Sequence, residues 1–98
     1  MSRVERFSPG FVADLGLAVE HYDSISVATG NRFRENLNSR LDLVMNSPEG
    51  FAKVYETVRA VRVKSYPYVI LYEVLTDHVD FIALVHGAGS RKNWFENL

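Results

Sequence analysis

The chain has 98 residues, of which 47% are hydrophobic and 12% aromatic, enough for a single domain over residues 1–98 with one buried core. Its 11 Lys and Arg residues are balanced by 12 Asp and Glu, and the net charge of -1 excludes a strong overall attraction to nucleic acid. The absence of cysteine excludes disulfides, thiolate chemistry and cysteine-based zinc sites, and it fits a reducing cytoplasm. No secretory signal pattern or transmembrane run is found, so we expect no membrane partner.

The first half of the chain is predicted to form a short strand and two helices. Val4 and Phe7 flank two charged residues, which indicates a strand over residues 3–7. Apolar residues then recur every three or four positions over residues 10–24, typical of an amphipathic helix. Ser26 is a candidate cap for a second amphipathic helix that ends near Asn46, before Ser47-Pro48. With a short connector, the two helices are expected to form an antiparallel hairpin.

After Gly50 the apolar period changes to two, which predicts strands within residues 58–65, 68–75 and 79–86. Pro67 stands where one strand turns into the next, so its missing N–H costs the sheet little. The last two strands are apolar on both faces, which favours a central or covered position. The predicted fold class is therefore α+β, in the order β-α-α-β-β-β, with the helix hairpin packed on an antiparallel sheet.

Three cations lie close together on the first strand after Gly50. Arg59, Arg62 and Lys64 have no acid among them, and the two-residue period places Arg62 and Lys64 on one face. Arg91 follows the last predicted strand and is expected to lie nearby. These residues indicate a positive patch that binds either phosphate or an acidic segment of a partner. The alternative is a solvated sheet edge, where charge discourages pairing with other chains.

Histidine and tryptophan supply the other candidate functional groups. His21, His78 and His86 are not at a metal-ligand spacing with a carboxylate, so we expect no metal and no cofactor. His86 ends a predicted buried strand, where it is either a proton-transfer group or a packing residue. Trp94 is either a lid over the sheet or an anchor for another protein.

The order of several short motifs resembles the RelE/ParE superfamily of bacterial toxins over nearly the whole chain. The strongest is V-R-x-x-x-V-x-x-Y-P-Y-x-I-x-Y, here from Val58 to Tyr72. The other motifs are the F-S-P at residues 7–9, the A-D-L at 13–15, the R-F at 32–33, the S-P at 47–48, and the H…R…W pattern of His86, Arg91 and Trp94. The resemblance implies the β-α-α-β-β-β fold predicted above and a place in a type II toxin–antitoxin module.

The superfamily has two branches that differ at identifiable positions. RelE-type members cleave mRNA on the ribosome and hold the RNA with cations on the sheet. Arg62 matches one of those cations, whereas Ala60 and Val69 stand where two others are expected, and Gly87-Ala88 replaces a basic residue after the last strand. The Y-P-Y-x-I-x-Y form resembles the ParE branch, whose members inhibit DNA gyrase by binding and are associated with plasmid stabilisation.

The resemblance therefore predicts a cytoplasmic, ParE-like gyrase inhibitor that a cognate antitoxin neutralises in a hetero-oligomer. The partner-binding candidates are Arg59, Arg62, Lys64, Arg91 and Trp94. One alternative is a RelE-like mRNA endonuclease acting on the ribosome, with Arg59, Arg62, His86 and Arg91 as catalytic candidates. A second alternative is a degenerate member that binds its antitoxin but is not toxic.

Overall fold

The computed structural model describes residues 3–87 and contains two helices and five strands in that range. Both predicted helices and all four predicted strands are present, and the α+β class is confirmed. The elements are β1 (Val4–Phe7), α1 (Pro9–Ile25), α2 (Val27–Asn46), β2 (Lys53–Tyr55), β3 (Val58–Arg62), β4 (Tyr68–Val74) and β5 (His78–His86).

The strands form one mixed sheet in the order β1-β5-β4-β3-β2. Two features differ from the sequence-based expectation. The short edge strand β2 adds a fifth strand, and β1 pairs parallel to β5, with Val4 opposite His78. A parallel pair needs a long crossover connection, which the helix hairpin and the other strands supply between β1 and β5.

Ser26 is the only residue between the two helices, and its predicted role as a cap is confirmed. Its Oγ accepts a hydrogen bond from the backbone N–H of Thr29 at 3.0 Å, while its own N–H donates to the carbonyl of Tyr22 at 3.3 Å. One extended residue therefore satisfies backbone groups at the end of α1 and the start of α2. This fixes the sharp turn of the hairpin.

The hairpin is also held by an ion pair that lies over Gly30. Asp23 at the end of α1 accepts two hydrogen bonds from the Arg34 guanidinium of α2, at 2.8 and 2.6 Å. The hydrogen bond from Arg34 is the main reason that the pKa of Asp23 is lowered. A Cβ atom at Gly30 would lie 1.8 Å from the Asp23 Oδ1, so the carboxylate occupies the space of a side chain.

We therefore predict different results for alanine at two helical glycines. Alanine is about 1 kcal/mol more favourable than glycine in a helix interior. Gly16→Ala, where a Cβ meets no atom within 4 Å, is expected to stabilise the fold by about that amount, as judged from urea unfolding. Gly30→Ala is expected to give no such gain because it displaces Asp23. In an Asp23→Ala background, Gly30→Ala should stabilise the fold as Gly16→Ala does. Equal stabilisation by both alanines in the otherwise unaltered chain would show that Asp23 does not oppose a side chain at residue 30.

The sheet has an apolar cluster on each face. The larger cluster lies between the helix hairpin and the sheet and includes Phe11, Ala18, Phe33, Leu37, Leu41, Val44, Val61, Val63, Ile70, Tyr72, Val79, Phe81 and Leu84. The smaller cluster, on what we call the second face, consists of Val58, Val69, Leu71 and Ala83. As predicted from its two apolar faces, β4 occupies the centre of the sheet.

Candidate partner-binding site

One predicted site residue, Arg62, meets two positions at which RelE-type cations are replaced, and all three lie on the second face of the sheet. Arg62 at the end of β3 pairs with Val69 in β4. Gly87 follows β5, and its N–H donates to the Pro67 carbonyl at 2.6 Å. A Cβ atom at Gly87 would lie 3.0 Å from the Val69 Cγ2 and 3.3 Å from the Arg62 Nη1. The structure therefore brings together residues that are separated in sequence, since Val69 follows Arg62 by 7 positions and Gly87 follows Val69 by 18.

The cluster consists of one cation beside an apolar part of the sheet surface. Arg62 is exposed, Val69 is buried and Gly87 has no side chain. The close approach to Val69 favours glycine at residue 87, because a larger residue would require the valine or the arginine to move. A single guanidinium can hold one phosphate or carboxylate group, but it supplies neither a general base nor a second charge for a scissile phosphate.

Arg59 lies on the opposite face of β3, against the helix hairpin. It pairs with the buried Tyr72, and its Nη1 donates to the carbonyls of Glu49 at 3.2 Å and Phe51 at 2.5 Å. The guanidinium thus holds the loop that joins α2 to β2. Arg59 and Arg62 therefore do not form the single patch that the sequence predicted, because strand alternation places their side chains on different faces of the sheet.

Lys64 is exposed in the tight turn between β3 and β4. Tyr66 donates its N–H to the Val63 carbonyl at 3.1 Å across this turn, and Ser65 has a positive φ of 69°. Because β3 ends at Arg62, strand alternation does not extend to Lys64. Strand geometry therefore does not place Lys64 on the same face as Arg62, as the sequence predicted.

His86 lies at the end of β5 against an aromatic cluster on the helix side. Its ring packs edge-on against Tyr68 with the centroids 5.7 Å apart. Tyr68 in turn contacts Tyr22 and Phe33 at centroid distances of 6.3 and 5.8 Å. Strand alternation therefore separates the imidazole of His86 from the Arg62 guanidinium by the thickness of the sheet.

The two remaining candidates, Arg91 and Trp94, lie outside the described residues. Within residues 3–87, no three histidine or acidic side chains are grouped so that they could hold a metal ion. In the same range, no helix is long and apolar enough to cross a membrane.

The sequence matches the model of the ParE toxin of the type II toxin–antitoxin system parDE over residues 6–90. The chain belongs to the ParE toxin family. A comparison with curated proteins found no match.

Solved structures support the fold of this ParE-family chain. The chromosomal ParDE system from P. aeruginosa has a TM-score of 0.75 at 12% identity, covering 87% of this chain and 96% of that one. The E. coli DinJ–YafQ toxin–antitoxin complex has a TM-score of 0.64 at 13% identity, covering 90% and 96%. YafQ from E. coli BL21(DE3) has a TM-score of 0.61 at 15% identity, covering 95% and 98%. At these identities the similarity is one of fold.

Proposed function

We propose that this ParE-family toxin inhibits DNA gyrase by binding to it, without catalytic residues of its own, and that a cognate antitoxin neutralises it. The observation that carries this proposal is the composition of the cluster on the second face. RelE-type enzymes are expected to carry cations at the position of Val69 and at Gly87-Ala88, and in this chain Val69 and Gly87 lie beside Arg62 without supplying one. One guanidinium there suits recognition better than RNA cleavage.

The proposed antitoxin complex is supported by the fold. The titles of the similar structures describe a ParDE toxin–antitoxin system and a DinJ–YafQ toxin–antitoxin complex. The helix hairpin of this chain also exposes several large apolar side chains: Val12, Leu17, Ile25, Val27 and Leu43. A segment that folds on binding can cover a surface of this kind, and we propose that the antitoxin does so in a hetero-oligomer.

A supercoiling assay with purified gyrase tests the proposed activity. The unaltered chain is expected to inhibit supercoiling, and the antitoxin to relieve the inhibition. Arg62→Gln is expected to weaken inhibition because it removes the cation of the second face. Arg32→Gln, which removes an exposed cation from α2, is the matched control and should inhibit as the unaltered chain does. Full gyrase activity at saturating protein would contradict the proposal.

One observation favours RelE-like mRNA cleavage as the second candidate function. His86 ends β5 with its ring edge-on to Tyr68, and a neutral imidazole carries both a proton donor and a proton acceptor. This activity would require Arg59, Arg62, His86 and Arg91 to act together. Toeprinting on translating ribosomes separates the two functions: codon-specific cleavage that is lost in His86→Gln would support the enzyme, and its absence would exclude it. Expression without growth arrest would instead indicate a non-toxic family member.

A further inference from the structure

A cleft that includes Arg59 lies on the opposite face of β3 from Arg62, and it has no role in the proposed function. It has a volume of about 350 Å³ and lies where the loop after α2 meets β2 and the ends of β3 and β4. The lining residues are Arg3, Glu49, Lys53, Thr57, Arg59, Val74, Leu75 and Thr76. Four of them are charged, and their arrangement indicates what the cleft binds.

The cleft has an excess of positive charge. Its cations are Arg3, Lys53 and Arg59, and its one carboxylate is Glu49, which leaves a formal charge of two positive units on the lining. The Arg3 Nη2 contacts the Glu49 Oε1 at 3.3 Å. That pair neutralises one cation and leaves the other two without a counter-charge on the lining.

Backbone carbonyls hold both guanidinium groups in place. The Arg3 Nε donates to the Leu75 carbonyl at 2.8 Å, and the Arg59 Nη1 donates to the carbonyls of Glu49 and Phe51. Two long side chains are therefore ordered before any ligand arrives. The binding of an anion in the cleft therefore does not include the entropy cost of ordering these two arginine side chains.

Lys53 lies beside a like charge on the neighbouring strand. It is directly opposite Arg59 in the β2–β3 pair, and like charges at such a position are destabilising. Within residues 3–87, Lys53 makes no ion pair that would offset this repulsion. An anion between the two cations would add two attractive interactions that offset this repulsion.

We propose that this cleft binds the phosphate group of a small phosphorylated ligand. A phosphate monoester carries a charge of about -1.5 to -2 at neutral pH and offers three acceptor oxygens. This charge matches the excess on the lining better than a single carboxylate does, and the Thr76 hydroxyl adds a donor. The remaining volume and the side chains of Val74 and Leu75 leave room for the group that carries the phosphate.

Titrations with inorganic phosphate and with ribose 5-phosphate, at constant ionic strength and followed by NMR amide shifts, test the proposal. Shifts are expected at the residues that line the cleft. Lys53→Gln is expected to weaken binding on the order of threefold or more, and Glu49→Gln to strengthen it, because one removes a cation and the other the opposing carboxylate. Lys64→Gln, which removes an exposed cation outside the cleft, should leave the affinity unchanged.

The affinities of the two probes show which part of the ligand the cleft contacts. Equal affinities for the two probes, with the expected charge dependence, would identify phosphate alone as the determinant. Tighter binding of ribose 5-phosphate would show that the rest of the cleft contacts the carrier group. Absence of shifts with both probes, or equal weakening by Lys53→Gln and Lys64→Gln, would overturn the proposal. The gyrase assay does not depend on this result, since Arg62 lies on the other face.

Discussion

Raising the pH from 9 to 12 is expected to remove about 2–3 kcal/mol of folding free energy through the ionisation of Tyr72. Its side chain is fully buried, and its hydroxyl donates to the Pro48 carbonyl at 2.7 Å. Burial raises the pKa of Tyr72 from 10.0 to about 12, against a smaller lowering effect of Arg59. The folded chain therefore holds this proton more tightly than the unfolded chain. Its contribution is fully present below pH 10 and is lost as the pH rises towards 12.

The measurement is urea unfolding at a series of pH values, on the unaltered chain and on Tyr72→Phe. At pH 8 the variant is expected to be less stable by about 1 kcal/mol, because the Pro48 carbonyl loses its donor. Between pH 10 and 12 the difference should shrink and then reverse, since phenylalanine has no proton to lose. The pKa of Tyr22 is also raised, chiefly by burial, but Tyr22 is present in both proteins. Parallel stability curves for the two proteins would show that folding does not change the pKa of Tyr72.

The same hydrogen bond has a consequence for the proposed phosphate cleft. Tyr72 and Arg59 together hold the loop after α2, through the carbonyls of Pro48, Glu49 and Phe51. This loop carries Glu49 into the cleft. Substituting Arg59 would therefore disturb the loop as well as the charge, so the proposed tests of the cleft change Lys53 and Glu49 instead.

Much of the fold could be predicted because apolar periodicity is strong in this chain. The three-to-four-residue period fixed both helices, and the two-residue period identified the meander and the central position of β4. The strand β2 was missed because three residues, Lys53–Tyr55, are too few to show a period. The parallel pairing of β1 was also missed, because periodicity indicates which face a residue takes and not which strand lies beside it.

The candidate site was predicted less well than the fold. Strand alternation already separates Arg59 from Arg62, yet their closeness in sequence suggested one patch. The convergence of Arg62, Val69 and Gly87 depends on strand register and on the turn at Pro67, which the sequence pattern does not specify. The proposed phosphate cleft was not predicted at all. It combines Arg3 with residues between Glu49 and Thr76, and each of its cations alone is typical of a solvated surface.

Another side-chain contact between distant parts of the chain joins Asp14 of α1 to β5. Beyond Phe81, the edge of β5 is no longer covered by β1, which ends at Phe7. The backbone N–H of Leu84 on this edge donates to the Asp14 Oδ2 of α1 at 3.1 Å. Leu84 is buried, so this N–H has little access to water if the carboxylate is removed.

Asp14→Ala is therefore expected to lower the free energy of unfolding by about 2 kcal/mol, the usual range for a buried donor that loses a charged partner. Asp14→Asn keeps an acceptor oxygen at the same position and should cost about half as much. Glu20→Ala removes an exposed carboxylate from the same helix and is expected to change the stability by less than about 0.5 kcal/mol. Hydrogen exchange at the Leu84 amide gives a second measurement: it should accelerate more in Asp14→Ala than in Asp14→Asn. Equal protection of that amide in all three variants would show that Asp14 does not anchor the free edge of β5, and thus does not hold the strand that carries Gly87 to Arg62.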